Sequence, residues 1–300
     1  MTRAKAWTLS MSLAVAVTMT PERGLTQALG EAPALSLRDG GAGVPAPLDR
    51  WEFTFGGRIG APIGHLQVGE SFNGSSTPGT RLSLNTLGVH VSESIEASGA
   101  YHFTPNDALR ISVLYTFMRG DSSLDRSITY NGEEFKAGSL HTNADYWRLD
   151  LAYERRLWRS PADELIGSIG LAYVYFNPTL TGLHHTGKED NEDFYLQELP
   201  VPIAGLRWSH ALDDHWLLRL GVSGGGLPKV DSLRKEGGTV YLTQSHADVD
   251  AGLAYRWRNG AELEAGYHFT YFFQHEHSHE DDNRFELIDN GARVRFVWRF

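Results

Sequence analysis

The chain has 300 residues, 32 glycines, 11% aromatic residues, no cysteine and a formal charge of -10. Without thiols it has no disulfide framework, no thiol catalysis and no Cys-based metal site, and the acidic balance argues against nucleic acid as a partner. A mean hydropathy of -0.33 reads as soluble, but a chain whose strands turn only alternate residues to lipid has a similar mean, so periodicity must decide.

Residues 1–20 read as a secretory signal peptide. Arg3 and Lys5 form a basic n-region, and Ala6 to Met19 an apolar stretch too short to span a bilayer. Cleavage is expected after Ala16, or as late as Ala34. Residues 21–50 are rich in Pro, Gly and Ala, lack any apolar period and predict a flexible periplasmic lead-in. No later stretch holds the run of about eighteen apolar residues that a transmembrane helix needs, so a spanning protein must cross with strands.

From Trp51 onward apolar residues recur at every second position, in segments of about ten to fourteen residues. Trp51, Phe53, Phe55 and Ile59 share one face of the first; Ile95, Ala97, Tyr101 and Phe103 of the second; Leu109, Ile111, Val113, Tyr115 and Phe117 of the third. Leu149, Leu151 and Tyr153 follow, then Ile169, Leu171, Tyr173 and Tyr175, then a proline-interrupted segment near 197–210. Leu218, Leu220 and Val222 mark the next strand; Val249, Ala251, Leu253, Tyr255 and Trp257 another; Leu263, Ala265, Tyr267, Phe269, Tyr271 and Phe273 a third. The last run, GARVRFVWRF, sets Ala292, Val294, Phe296, Trp298 and Phe300 on one face and Arg293, Arg295, Val297 and Arg299 on the other.

The fold expected for residues 51–300 is all-β: a membrane-spanning, antiparallel, up-and-down β-barrel of about ten strands, within roughly 8–12. Connections near 104, 155–164, 211 and 258 are compact turns. Those near 60–90, 119–142, 178–195, 231–245 and 274–288 are longer and polar. Trp51, Trp158, Trp208, Trp216, Trp257 and Trp298 all fall beside the compact turns, where indole would sit at a membrane interface.

With this alternation and a closing phenylalanine, residues 51–300 resemble the broad class of small bacterial outer-membrane β-barrels. The resemblance implies a Gram-negative outer-membrane location with both termini periplasmic and short turns on that side. It implies contact with outer-membrane lipid and lipopolysaccharide, a monomer, and Phe300 as the signal read by the barrel assembly machinery.

With the apolar face outward, the other face lines the lumen. It carries Glu52, Arg58, Glu96, His102, Arg110, Glu154, Arg219, Arg256, His268 and Arg299, together with Arg148, Asp150, Asp248, Asp250, Glu262, Glu264, Arg293 and Arg295. Acids on neighbouring strands repel unless arginines reach them, so the last eight predict a paired ionic network filling a narrow lumen. In the last long loop His275, His277 and His279 stand at alternate positions among Glu276, Glu280, Asp281 and Asp282. In extended chain they share a face and are candidate ligands for a divalent cation outside the cell; no other cofactor is expected. His184, His185, Glu189, Asp190, Glu192 and Asp193 offer a second such loop.

Three functions stay open on the sequence. The leading one is a structural or surface-interaction barrel with a charge-paired, plugged lumen. The alternative is a narrow channel for small solutes, and the third a surface enzyme of omptin-like or lipid A-modifying type. Ser245, His246, Asp248 and Asp250, and His277, Ser278 and His279, match no family pattern, so no catalytic residue is assigned. Asp213, Asp214 and His215 read as an ordinary turn.

Overall fold

The computed structural model describes residues 50–72, 75–176, 178–184, 189–193, 199–231, 241–278 and 281–300. Residues 1–20, read as a signal peptide, and nearly all of 21–50, read as a lead-in, lie outside them. Ten antiparallel strands form the barrel: β1 (Trp51–Gly60), β2 (Ser92–His102), β3 (Asp107–Phe117), β4 (Tyr146–Arg159), β5 (Asp163–Phe176), β6 (Val201–Ala211), β7 (Trp216–Asp231), β8 (Tyr241–Arg256), β9 (Glu262–His277) and β10 (Asp281–Arg299). Each pairs with its sequence neighbours, and β1 pairs with β10 to close the wall. At the seam the register runs from Glu52↔Arg299 to Gly60↔Gly291. Trp51 and Phe300 add a reciprocal backbone pair, with N–O distances of 3.0 and 3.1 Å.

The outward face is what a bilayer requires. All ten strands expose large apolar side chains, among them Phe55, Ile95, Ile111, Leu151, Ile169, Leu206, Val222, Val249, Leu263 and Val294. Trp51, Trp158, Trp216, Trp257 and Trp298 stand exposed at the short-turn end. There rings pack in chains, as Trp51 on Tyr101 at 4.8 Å and Tyr255 on Trp257 at 5.4 Å. Towards the long-loop end Tyr115 meets Phe117 at 4.6 Å and Trp147 meets Tyr173 at 5.5 Å. Two aromatic girdles thus bracket an apolar band. No helix among the described residues is long and apolar enough to cross a membrane; the crossing is by strands.

Four connections read as polar loops are strands instead, among them residues 274–288, where β9 runs on to His277 and pairs with β10 from Asp281. Ile63–Phe72 continues the line of β1 beyond Ala61 and Pro62 and pairs with the outer part of β10, from Ile63↔Ile288 to Glu70↔Asp281. Arg119–Leu124, Ile128–Tyr130, Glu133–Asn143, Thr179–His184 and Glu189–Asp193 form a second sheet at the long-loop end. About ten residues suffice to cross the apolar band, so strands of 16 and 19 residues such as β9 and β10 run well past it. Beyond lipid the two faces swap roles.

That swap divides the interior. Along the inner face of β10, Arg299, Arg295 and Arg293 give way to Asp289, then to buried Leu287 and Phe285. On β4 the inner face changes from Glu154, Asp150 and Arg148 to Tyr146, and on β5 from Ser168 to Val174 and Phe176. The long-loop half therefore holds an apolar core. The segment following Ile63–Phe72 supplies its centre: Leu82, Leu84, Leu87 and Val89 are buried among Met118, Phe135, Leu180, Phe272 and Phe285. A turn holds the segment in place. Val89 N–H donates to the Leu84 carbonyl at 2.9 Å, and Gly88, at φ +78°, presses onto the Asp121 backbone, where a Cβ would collide.

A closed wall pairs its backbone groups internally and resists detergent. The refolded protein should show a β-rich spectrum and migrate differently in SDS before and after heating. Removing Phe300 should leave that shift in place, since the pairs from Glu52↔Arg299 inward remain. A helical spectrum would refute the barrel.

Candidate functional site: a charged cavity in the short-turn half

Below the apolar core the inner wall is ionic, and its least exposed acids are hubs. Glu262, 0% exposed, accepts from Arg256 Nε at 2.7 Å, from Arg299 Nη1 at 2.8 Å and from Arg219 Nη2. Glu264, 1% exposed, accepts from Arg219 at 3.0 Å, Arg293 at 3.2 Å and Arg295 at 2.5 Å. Glu154 takes a two-pronged Arg110 at 2.8 and 3.2 Å, and Arg207 at 3.3 Å. Glu52 links these groups, accepting from Arg110 at 2.6 Å and Arg299 at 2.7 Å. Charge therefore alternates around the wall in the order Arg207, Glu154, Arg110, Glu52, Arg299, Glu262, Arg219.

The ring has one break. Between β6 and β7, Arg207 stands opposite Gly221, and Arg219 opposite Ser209. The two guanidiniums are thus diagonal neighbours on the inner face with no acid between them in the ring. Asp250, whose carboxylate leans over Gly221, is held by Arg293 at 3.0 Å.

Nearer the apolar core Arg148 donates to Asp150 and Asp248, at 2.7 Å each, and Thr270 also donates to Asp248 at 2.9 Å. Arg58 pairs with Glu96 at 2.6 Å. The other Glu96 oxygen has no partner among the described residues and lies 4.0 Å from the equally unpartnered Arg295 Nε, a spacing that suits a bridging water. Glycines make room for this crowding. A Cβ on Gly252 would lie 2.8 Å from Glu264 Oε1.

Of the eight lumen residues read from the sequence, the structure brings Arg293 to Asp250 and Glu264, Arg295 to Glu264, and Arg148 to Asp150 and Asp248. Glu262 is served by other arginines. The sequence reading does not single out Arg207, because Pro202 blurs the strand; the signal was the outward pair Leu206 and Trp208 on either side of it.

A cavity of about 700 Å³ remains in this half, and its lining reaches the short turns at Thr104, Pro105, Ser160 and Pro161. It exists because β5, β6 and β7 turn small residues inward, Ser168, Gly170, Gly205, Gly221 and Ser223, while β8 to β10 turn in long charged ones. Eleven arginines but only seven carboxylates line it. Glu154, Glu262 and Glu264, which hold arginines of this wall, lie outside the lining and account for three of the difference of four.

No catalytic arrangement emerges from the candidate fragments. Ser245 and His246, adjacent on β8, face opposite sides of the wall, and His246 lies inward against Phe272 at 5.0 Å. Asp213 caps its turn, accepting the His215 and Trp216 N–H groups at 2.7 Å each, and those bonds hold its carboxyl below the usual range. His275 and His277 share the outward face of β9 with rings 6.3 Å apart; Asp282 Oδ1 lies 2.7 Å from the first and 3.8 Å from the second. His279 lies outside the described residues. Among the described residues no group of three or more His, Asp or Glu side chains is placed to hold a metal.

No family model and no curated protein matches the chain. Among solved structures, the outer membrane protease OmpT from Escherichia coli shares 12% identity, covering 83% of this chain and 97% of that one at a TM-score of 0.48. The translocator domain of the autotransporter NalP from Neisseria meningitidis gives 15%, 84%, 89% and 0.41 in the same order. The outer membrane protein OprG from Pseudomonas aeruginosa gives 10%, 84%, 97% and 0.37. At these values what those proteins do is not carried to this chain, and the barrel rests on its own register and apolar band.

Glu264→Gln would leave Arg295 without its carboxylate and take one of two from Arg219 and Arg293, and the expected loss is about 3–5 kcal/mol, less where cavity water reaches them. Adding Arg295→Met should recover part of it, measured by urea unfolding in detergent. Strictly additive effects would show that these groups are solvated separately.

Proposed function

We propose that this chain is an outer-membrane barrel closed to conduction, acting as a structural or surface-interaction protein. The supporting observation is the apolar core at the long-loop end: Leu84 and Leu87 are wholly buried, clustered with Phe285 of the barrel wall and with Phe135 and Leu180 of the second sheet. An aqueous path would require ions to cross that layer without a polar partner, a cost of several kcal/mol or more. Both ends of the barrel chain lie with the compact turns, the arrangement in which termini and short turns face the periplasm.

In this reading the outer sheet around Glu133–Asn143 is the surface presented to the exterior. Lipopolysaccharide and lipid are the surroundings of a monomer, because apolar side chains ring the whole wall. The assembly machinery is the partner that reads Phe300, and in cells its removal should slow the appearance of the folded band. The narrow-channel reading has one feature in its favour, the cavity that reaches the short turns.

Planar-bilayer recordings separate the two. The native barrel should be silent, and a Leu84→Ser/Leu87→Ser variant should show intermittent current as the core loosens. Stepwise conductance from the native protein would sink the closed-barrel reading.

A divalent cation at the His275–Asp282 edge belongs to the same proposal. Calorimetry should show zinc uptake that weakens in acid, as protons compete for imidazole, and that is lost in a His275/His277/His279 triple alanine variant. Equal binding by both proteins would leave the edge a solvated face.

A further inference from the structure

We propose that the break in the charge ring between β6 and β7 is a binding site for a small oxyanion, a phosphate or carboxylate group that enters the cavity past the short turns. The inference rests on the cavity and holds whether or not the barrel conducts. Around the rest of the ring each guanidinium has an acid on either side along the wall. At this step Arg207 and Arg219 follow one another.

Arg207 has donors to spare. Its side chain is 32% exposed and, among the described residues, makes a single hydrogen bond, to Glu154 at 3.3 Å, out of the five N–H groups a guanidinium carries. Arg219 spends its bonds on Glu262 and Glu264, both deeply buried, and is itself a largely buried member of the cavity lining. Asp250, the acid nearest Gly221, is engaged by Arg293.

Beside the two arginines the wall turns Ser209 and Ser223 to the cavity, while Asp250 folds its carboxylate over Gly221, so the space for a ligand is on the Ser209 side. The cavity, about 700 Å³ and lined by more guanidiniums than carboxylates, is of ordinary ligand-site size. Low-dielectric walls strengthen a local positive field, and the planar guanidinium fork matches two oxygens of one anion.

The register also supplies the test. Ser209 stands directly opposite Arg219, so Ser209→Glu places a carboxylate where the ring lacks one and completes the alternation. Ser209→Gln adds similar bulk without charge. The folded full-length barrel in detergent is titrated by calorimetry with inorganic phosphate, and separately with acetate to tell a phosphate group from a carboxylate.

Native protein should bind at least one of the two. Ser209→Glu should lose roughly tenfold or more in affinity, the worth of one charge-assisted bond, while its thermal unfolding is unchanged or raised. Ser209→Gln should bind within a few-fold of native, and Arg207→Gln should weaken binding as Ser209→Glu does. No binding of either anion by the native barrel would overturn the proposal. So would equal loss in both Ser209 variants, which would make bulk rather than charge the cause.

Discussion

Closure of β1 against β10 is the constraint on which the rest depends. In hydrocarbon an unpaired backbone N–H or carbonyl costs several kcal/mol, so a sheet can cross a membrane only without edges. The seam from Trp51 and Phe300 to Gly60 and Gly291 removes the edges. Once the wall is closed, a side-chain period of two sorts every residue to lipid or to lumen. The exposed apolar residues on all ten strands and the arginines behind them are two results of that one sorting.

The lumen inherits a problem from this. About ten strands enclose a bore only slightly wider than side chains fill, so charges pointing inward lose much of their hydration. Burial of an isolated ion costs more than one pairing returns, whereas a hub such as Glu264, with three guanidiniums around it, meets the requirement by shared geometry. The glycines of the wall belong to the same solution, since Gly252 and Gly221 are the spaces into which Glu264 and Asp250 fold.

Above the bilayer the solvent changes and so does the answer. Where water rather than lipid surrounds the wall, the strands reverse polarity without changing parity, and the interior becomes an ordinary apolar core around Leu84 and Leu87. The interior is therefore packed with apolar side chains at one end and braced by charge at the other. Its empty space lies where small residues of β5 to β7 face the long ones of β8 to β10. The cavity is a product of asymmetry between walls.

Local periodicity was enough to show the ten membrane-crossing strands, their faces, the aromatic girdle beside the compact turns and most lumen residues, because a two-residue period is written in consecutive positions. It was enough at GARVRFVWRF and at Leu263 to Phe273, and weakest at the segment of Pro202, where it missed Arg207. Which acid meets which arginine depended on register between strands distant in sequence: Glu262 is held from Arg219, Arg256 and Arg299 on three strands, and no spacing along the chain encodes that. The burial of Leu82 to Val89 was hidden for a similar reason. A short apolar run in a polar stretch becomes a core only when the walls from Ile63–Phe72, β9 and β10 rise around it. The break between Arg207 and Arg219 exists only as a gap in a closed ring, and only the tertiary structure closes that ring.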